Sequence, residues 1–280
     1  MEQLSQGLTP AARIIPEKNI IVFAPHYDDG LFLLGNCALG WQQAGLQKNI
    51  HILVLFSRSN YLQGSGAENF DTSLDRLKLA TGMRLLEDNN CLNELLGSYG
   101  YRYELAGEDE CFVREKPFAK DAMEFPQGMF PDFDEKDWAI FARMKARISA
   151  YTLQEDTALV FPLAIKEHID HFIVREAAIQ AAEASGPARR AAFYFQEDKP
   201  YGGIATREEL NRLASFLSQH SLEQRVYRAH PEKMIDLAFT HYVSQTEELY
   251  KIGIRHRAEV LRAQHHAQEP CDVLYRLALS

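Results

Sequence analysis

Cysteine is scarce and scattered in this 280-residue chain. Four residues, Cys37, Cys91, Cys111 and Cys271, lie far apart with no C-x-x-C pair, which excludes a disulfide-dense scaffold and favours reduced thiols in a cytoplasm. Long apolar runs are missing as well. None approaches the length needed to span a bilayer, and Met1 to Lys18 carries no apolar core of signal-peptide size. Positive charge is in deficit, with 30 Lys and Arg against 39 Asp and Glu, for a formal net charge of -9. That balance argues against nucleic acid as the main partner and against docking on anionic lipid. No internal repeat or low-complexity tract is present. The chain is 46% hydrophobic and 25% charged, an ordinary globular composition, and long enough for one large domain or two small ones.

Four short, near-continuous apolar runs stand out: Ile20 to Ala24, Ile52 to Phe56, Ala158 to Phe161 and Ala191 to Phe195. Runs of this length, rich in branched and aromatic residues, suit strands buried on both faces of a parallel sheet. Helical patterns lie between them. Leu31 to Ala44 is apolar almost all round, Ser73 to Leu96 and Lys136 to Leu153 are amphipathic, and His171 to Ser185 is rich in Ala and Glu. This alternation predicts an α/β fold, a Rossmann-like doubly wound, mostly parallel sheet flanked by helices. Arg207 to Ser218 and Glu232 to Arg262 add helix, Leu222 to Arg228 alternates like an edge strand, and Val273 to Leu279 reads as a last strand. The segment 98–135 differs. Its Gly, Pro and acidic residues are mixed with Tyr99, Tyr101, Tyr103, Phe112, Phe118, Phe125, Phe130 and Phe133, the composition of a lid or insertion within one domain spanning 1–280.

Two clusters carry the chemistry. Pro25-His26-Tyr27-Asp28-Asp29-Gly30 directly follows the first predicted strand, and His168-Ile169-Asp170-His171 follows the strand ending at Phe161. Loops at the carboxyl ends of strands in an open parallel sheet face one crevice, so the two clusters can meet. Imidazoles and carboxylates are ligands zinc accepts, and a catalytic zinc wants three of them with one open position. His26, Asp29 and His171 would supply the three, leaving Asp28 as a general base. His168, if protonated, would stabilise an oxyanion or protonate a leaving amine, with Asp170 orienting its ring. Taken singly, each cluster also reads as a capped helix start. Composition alone does not tell Asp28 from Asp29.

On these motifs the sequence resembles the PIG-L or LmbE-like zinc-dependent de-N-acetylases, whose signature is Ala/Pro-His-Pro-Asp-Asp-Glu after the first strand and a later His-x-Asp-His. Two weaker matches accompany it: Arg84-x-x-Glu87 followed by Leu96-Gly97, and Lys233, Tyr242 and Ser244-Gln245 near the end. The resemblance implies an LmbE-like hydrolase that removes acetyl groups from N-acetylglucosamine units. It implies Zn2+ held by His26, Asp29 and His171, Asp28 as base, His168 and Asp170 assisting, and Arg84 as a substrate contact. The expected partner is therefore a small-molecule N-acetylated sugar or glycoside, with homo-oligomerisation left open. Tyr27 and Gly30 depart from the motif's proline and glutamate. Gly30 removes a carboxylate from a helix start and loosens the backbone, which leaves substrate identity and full activity open.

Two other functions compete. One is a degenerate, non-catalytic sugar- or metal-binding member of the same family. The other is a Rossmann-type nucleotide-binding module, disfavoured because the first βα turn lacks Gly-x-Gly-x-x-Gly and presents carboxylates where phosphate would sit. His51 reads as structural, His241 as a packing residue and His265-His266 as a solvated helix end.

Overall fold

A computed structural model describes residues 7–63, 71–98, 100–116 and 125–278. A short helix α1 (Ala11–Ile14) leads into β1 (Asn19–Ala24), α2 (Asp29–Gln43), β2 (Asn49–Val54), α3 (Leu74–Leu96) and β3 (Tyr101–Leu105). There follow α4 (Glu135–Ser149), β4 (Thr157–Pro162), α5 (Ile169–Ser185), β5 (Ala192–Gln196) and α6 (Arg207–Gln219). The chain closes with β6 (Leu222–Arg228), α7 (Pro231–His241), α8 (Glu248–Gln264) and β7 (Cys271–Leu277). The seven strands form one sheet in the order β3-β2-β1-β4-β5-β7-β6. The first five are parallel, and β7 and β6 add an antiparallel edge.

Strand residues alternate between two apolar layers, as a period of two demands. Ile21 and Phe23 of β1, with Leu159 and Phe161 of β4, pack beneath Ile140 and Met144 of α4 and Ile173 and Ala177 of α5. Ile20, Val22 and Ala24, with Ala158 and Val160, face Leu31, Leu34 and Ala38 of α2, Leu92 of α3 and Met234 of α7. Both faces are covered, so the strands read as apolar runs rather than as alternating ones. Winding reverses between β1 and β4, and an open α/β sheet makes its crevice at the carboxyl ends on either side of such a switch point. Both histidine-aspartate clusters leave the sheet there.

Three expectations are refined. The segment 98–135 is not wholly an insertion, because Tyr101–Leu105 pairs in parallel with β2 as an edge strand. The run Glu232 to Arg262 is two helices, broken at 242–247. Its break is fixed by side chains from α3, since Tyr242 donates to Asp88 (2.7 Å) and Ser244 Oγ to Glu87 (2.6 Å). The third concerns the aromatic rings of 98–135, which divide. Phe112 and Phe125 line the crevice, whereas Phe130 and Phe133 pack on Trp138, Phe141 and Phe172. Tyr99 and Phe118 lie outside the described residues.

Helix α8 closes one side of the crevice by backbone contact. A Cβ added at Gly203 would overlap the Gly253 carbonyl, and one added at Gly253 would stand 2.5 Å from Pro200 O. Only glycine allows this approach, which seats the 198–203 turn directly against α8.

Candidate active site

Three donor atoms meet at the floor of the crevice. His26 Nδ1 lies 3.4 Å from Asp29 Oδ2, His171 Nε2 lies 3.2 Å from the same oxygen, and the two ring nitrogens are 3.3 Å apart. Bonds of about 2.0–2.2 Å at the tetrahedral angle require donors about 3.3–3.6 Å apart. At 3.2–3.4 Å this triangle is close to that size, so two imidazoles and one carboxylate would suit a tetrahedral divalent ion at the cavity that all three residues line. His26, His168 and Asp170 also form a close group, but it is already spent. Asp170 Oδ1 accepts from Arg114 (2.7 Å), and its Oδ2 accepts from the Cys111 amide (2.9 Å) and lies 3.0 Å from His26 Nε2. A guanidinium in that place repels a cation.

Each imidazole of the triangle is held from behind by a carboxylate. His26 has Asp170, and His171 Nδ1 lies 2.5 Å from Asp198 Oδ1. Such carboxylate–histidine pairs fix the ring tautomer and strengthen the nitrogen left to ligate. Burial lowers both histidine pKa values. Asp170 and Asp29 at His26, and Asp29 and Asp198 at His171, outweigh it and leave both raised. Burial pushes Asp29 up, but His171 and His26 bring it well below the usual carboxylate range. Asp29 is thus an anion set between two rings whose charged form its carboxylate favours.

Asp28 stands beside the triangle rather than in it. Its side chain makes no helix-capping bond, so a mere cap does not account for it. It lines the cavity, and Arg84 Nη2 approaches its Oδ1 at 3.4 Å. Burial and neighbouring Asp29 raise its pKa, against Arg84 and His26. His168 caps α5, its Nδ1 accepting from the Asp170 amide at 3.2 Å. That bond leaves the proton on Nε2. Burial, His26 and His171 hold its pKa well below the ordinary value.

Two assignments are corrected here. Burial, with His26 and His171 alongside, disfavours a protonated His168. Asp170 does not orient the His168 ring with its carboxylate, which the first turn of α5 aims at His26 and Arg114 instead. Arg84 reaches the cavity wall but is engaged, with Nη1 donating to Glu110 Oε2 (2.7 Å) and Ser59 Oγ (2.9 Å). It is a buried counter-ion beneath two carboxylates, stacked 5.7 Å from the Tyr27 ring. Tyr27 itself is fully buried, donating to Ser57 O at 2.6 Å. A side chain at Gly30 would start against Ile52 and Leu92 at 3.4–3.5 Å, an apolar seam outside the donor triangle. The remaining histidines stay outside the crevice: His51 pairs with Glu104 and His241 with Glu94.

Glu110, Arg114, Asp198, Tyr201 and Tyr250 were not singled out from sequence. Asp198 has a signal in retrospect, because Gln196-Glu197-Asp198-Lys199 is a polar run at the carboxyl end of an apolar strand. The cavity has Tyr61, Phe112, Phe125, Tyr201 and Tyr250 as its aromatic walls. Tyr61 stacks on Phe112, and Phe125 on His168.

No protein-family model and no curated protein matches the sequence. Solved structures do match. A deacetylase of the teicoplanin biosynthesis pathway, in complex with bog, superposes with a TM-score of 0.61 at 20% identity, over 94% of this chain and 98% of that one. This chain has the fold of that deacetylase. A zinc-inhibited form of teicoplanin deacetylase gives 0.60 at 18% identity over the same shares. N,N'-diacetylchitobiose deacetylase from Pyrococcus horikoshii gives 0.54 at 10% over 97% of this chain and 88% of that one. A 4-carboxy-2-hydroxymuconate hydratase from Pseudomonas putida also matches, at 0.50 and 12% over 93% and 96%. At such identities the likeness carries the fold, and the reaction must be argued from the site.

Proposed function

We propose that the protein is a metal-dependent amide hydrolase that removes the acetyl group from an N-acetylated amino sugar or glycoside, residues 1–280 working as one hydrolase domain. The observation that carries this reading is the donor triangle of His26, Asp29 and His171 with a carboxylate, Asp28, beside it and outside it. Zinc fits two nitrogens and one oxygen. When bound, it would supply Lewis acidity to the scissile carbonyl and to water. A deacetylase with this fold has been solved in a zinc-inhibited form, which supports a metal site in this fold.

The chain's own residues do the rest. Asp28 accepts a proton from the attacking water, its basicity raised by burial and Asp29. His168 donates Nε2–H to the oxygen on which charge develops, as a neutral donor that needs no reorganisation. The C–N bond then breaks, Asp28 returns its proton to the departing amine, and acetate and a free amino sugar leave. Aromatic walls suit a pyranose, whose C–H faces pack on rings while its hydroxyls meet polar edges. Every described cation lining the cavity already has a carboxylate partner, Arg84 in Glu110 and Lys199 in Asp272, which suits a neutral ligand. The four cysteines, all free and buried, agree with a reducing cytoplasm. Among the described residues no helix is long and apolar enough to cross a membrane.

The test is acetate release, with metal content measured in parallel, from a panel of N-acetylated amino sugars and glycosides. The zinc-loaded protein should release acetate from at least one. A protein that binds zinc and adds water to an unsaturated acid without releasing acetate would instead share the hydratase's chemistry.

A further inference from the structure

The ring nitrogen that His26 presents to the donor triangle is decided by a competition for one proton. A neutral imidazole carries a proton on one nitrogen only, and the nitrogen that ligates must be bare. Asp29 Oδ2 lies 3.4 Å from Nδ1, and Asp170 Oδ2 lies 3.0 Å from Nε2. Were Asp29 to win, the proton would sit on the ligating atom. Asp170 must therefore be held as an anion, in place, against complete burial, where an unpaired charge costs several kcal/mol.

Arg114 is what holds it. Its Nη2 donates to Asp170 Oδ1 at 2.7 Å, its Nε to Asp137 Oδ1 at 3.1 Å and its Nη1 to the Asp109 carbonyl at 2.6 Å. The guanidinium also lies 5.2 Å from the Phe56 ring centre. Asp137 is fixed in turn by the first turn of α4, where Asp134 accepts from its amide and Lys116 pairs with both carboxylates. Charges thus alternate from half-buried Lys116 through buried Asp137, Arg114 and Asp170 towards His26. A guanidinium spans two carboxylates with fixed geometry, which an ammonium does not.

We propose that Arg114 is a positioning residue for the metal centre: by clamping Asp170 it keeps the His26 proton on Nε2 and leaves Nδ1 free to ligate. The inference rests on the metal-site reading above. It gives the 106–116 stretch a role distinct from that of a lid, since this stretch orients a ligand from behind.

The experiment compares apo full-length protein, stripped with chelator, as wild type, Arg114→Lys, Arg114→Gln, Asp137→Asn and His26→Ala. Zn2+ affinity is read by competition with a chromophoric chelator, and the His26 tautomer by imidazole nitrogen NMR without metal, at a pH high enough for the ring to be neutral. Arg114→Lys should bind Zn2+ about 10–100-fold more weakly, the usual effect of losing an outer-shell partner, and Arg114→Gln more weakly still. Asp137→Asn should lose less but measurably, because Arg114 keeps its bond to Asp170 while losing its other carboxylate anchor, and its His26 should shift part-way in the same direction as in the Arg114 variants. In the Arg114 variants His26 should shift from Nε2–H towards Nδ1–H. Folded Arg114→Lys or Asp137→Asn protein with wild-type affinity and tautomer overturns the proposal. Should the Arg114 variants fail to fold, Asp137→Asn decides it by the same two readings. Wild-type protein that binds no zinc, or a His26→Ala variant that binds it fully, overturns the metal-site reading instead, and the tautomer measurement still judges Arg114.

Discussion

Neighbouring aspartates at the start of α2 should respond to the same substitution in opposite ways. Asp29 Oδ2 is a vertex of the donor triangle, 3.2 and 3.4 Å from two imidazole nitrogens. Asp28 points past it towards Arg84. In Asp28→Asn all three donors remain, so zinc should be retained at full stoichiometry. The rate of acetate release should fall by about 10²–10⁴, the usual share of a general base, equivalent to about 2.7–5.5 kcal/mol of barrier. The apo protein should lose no stability, because burial and Asp29 already press Asp28 towards its neutral form. Asparagine removes that electrostatic load. In Asp29→Asn an anionic donor becomes a neutral amide, and zinc affinity should drop by more than the roughly 10–100-fold of an outer-shell change, with activity lost alongside. Zinc stoichiometry, acetate release and thermal melting would be measured on both variants together. Zinc loss in Asp28→Asn with zinc retention in Asp29→Asn would reverse the two roles. Full activity in both would refute the mechanism.

Three further outcomes follow from the same geometry. Burial raises the Asp88 pKa to about 8, against its bonds from Tyr103 and Tyr242; the folded state then holds a proton that the unfolded state releases near the ordinary aspartate value of 3.8. Stability should therefore fall as pH rises between those values, by up to about 1.4 kcal/mol per pH unit, and Asp88→Asn should flatten that slope in denaturant titrations; an unchanged slope would show the carboxyl already ionised. Gly253→Ala should destabilise the fold by about 1–3 kcal/mol through overpacking and also weaken zinc binding, because the displaced 198–203 turn carries Asp198; a melting temperature and zinc affinity equal to wild type would contradict the contact. Phe112→Ala together with Phe125→Ala should raise KM for the sugar substrate while zinc content stays whole, and an unchanged KM would remove these rings from the binding surface.

Much of this was legible because the buried strands are apolar on both faces and the polar clusters interrupt them abruptly. Pro25 to Asp29 follows five buried residues of β1, and His168 to His171 follows β4, so two unlike signals coincide at each site. Strand β3 escaped notice for the opposite reason. At the sheet edge its residues are only partly covered, and Tyr101-Arg102-Tyr103-Glu104-Leu105 blends into an aromatic, acidic stretch. The Asp170 assignment failed on direction. Two residues from His168, it looked like that ring's partner, yet at a helix start neighbouring side chains diverge and the backbone amide alone turns to His168. Arg114 and Asp198 were hidden because their partners lie 56 and 27 residues away, a distance no local pattern bridges.

The 145 residues that separate His26 from His171 give the proposed ion a second, mechanical part to play. Helix α2 lies on one face of the sheet and α5 on the other, and their first turns approach each other only over the seam between β1 and β4. An ion gripping both would act as a rivet through that seam. At a free concentration about a thousandfold above its dissociation constant, such a ligand adds about 4.1 kcal/mol to the folded state, a large fraction of a typical domain's stability. Hydrogen exchange should then slow most at the first turns of α2 and α5 when zinc is added, and chelation should loosen the seam before either helix unravels.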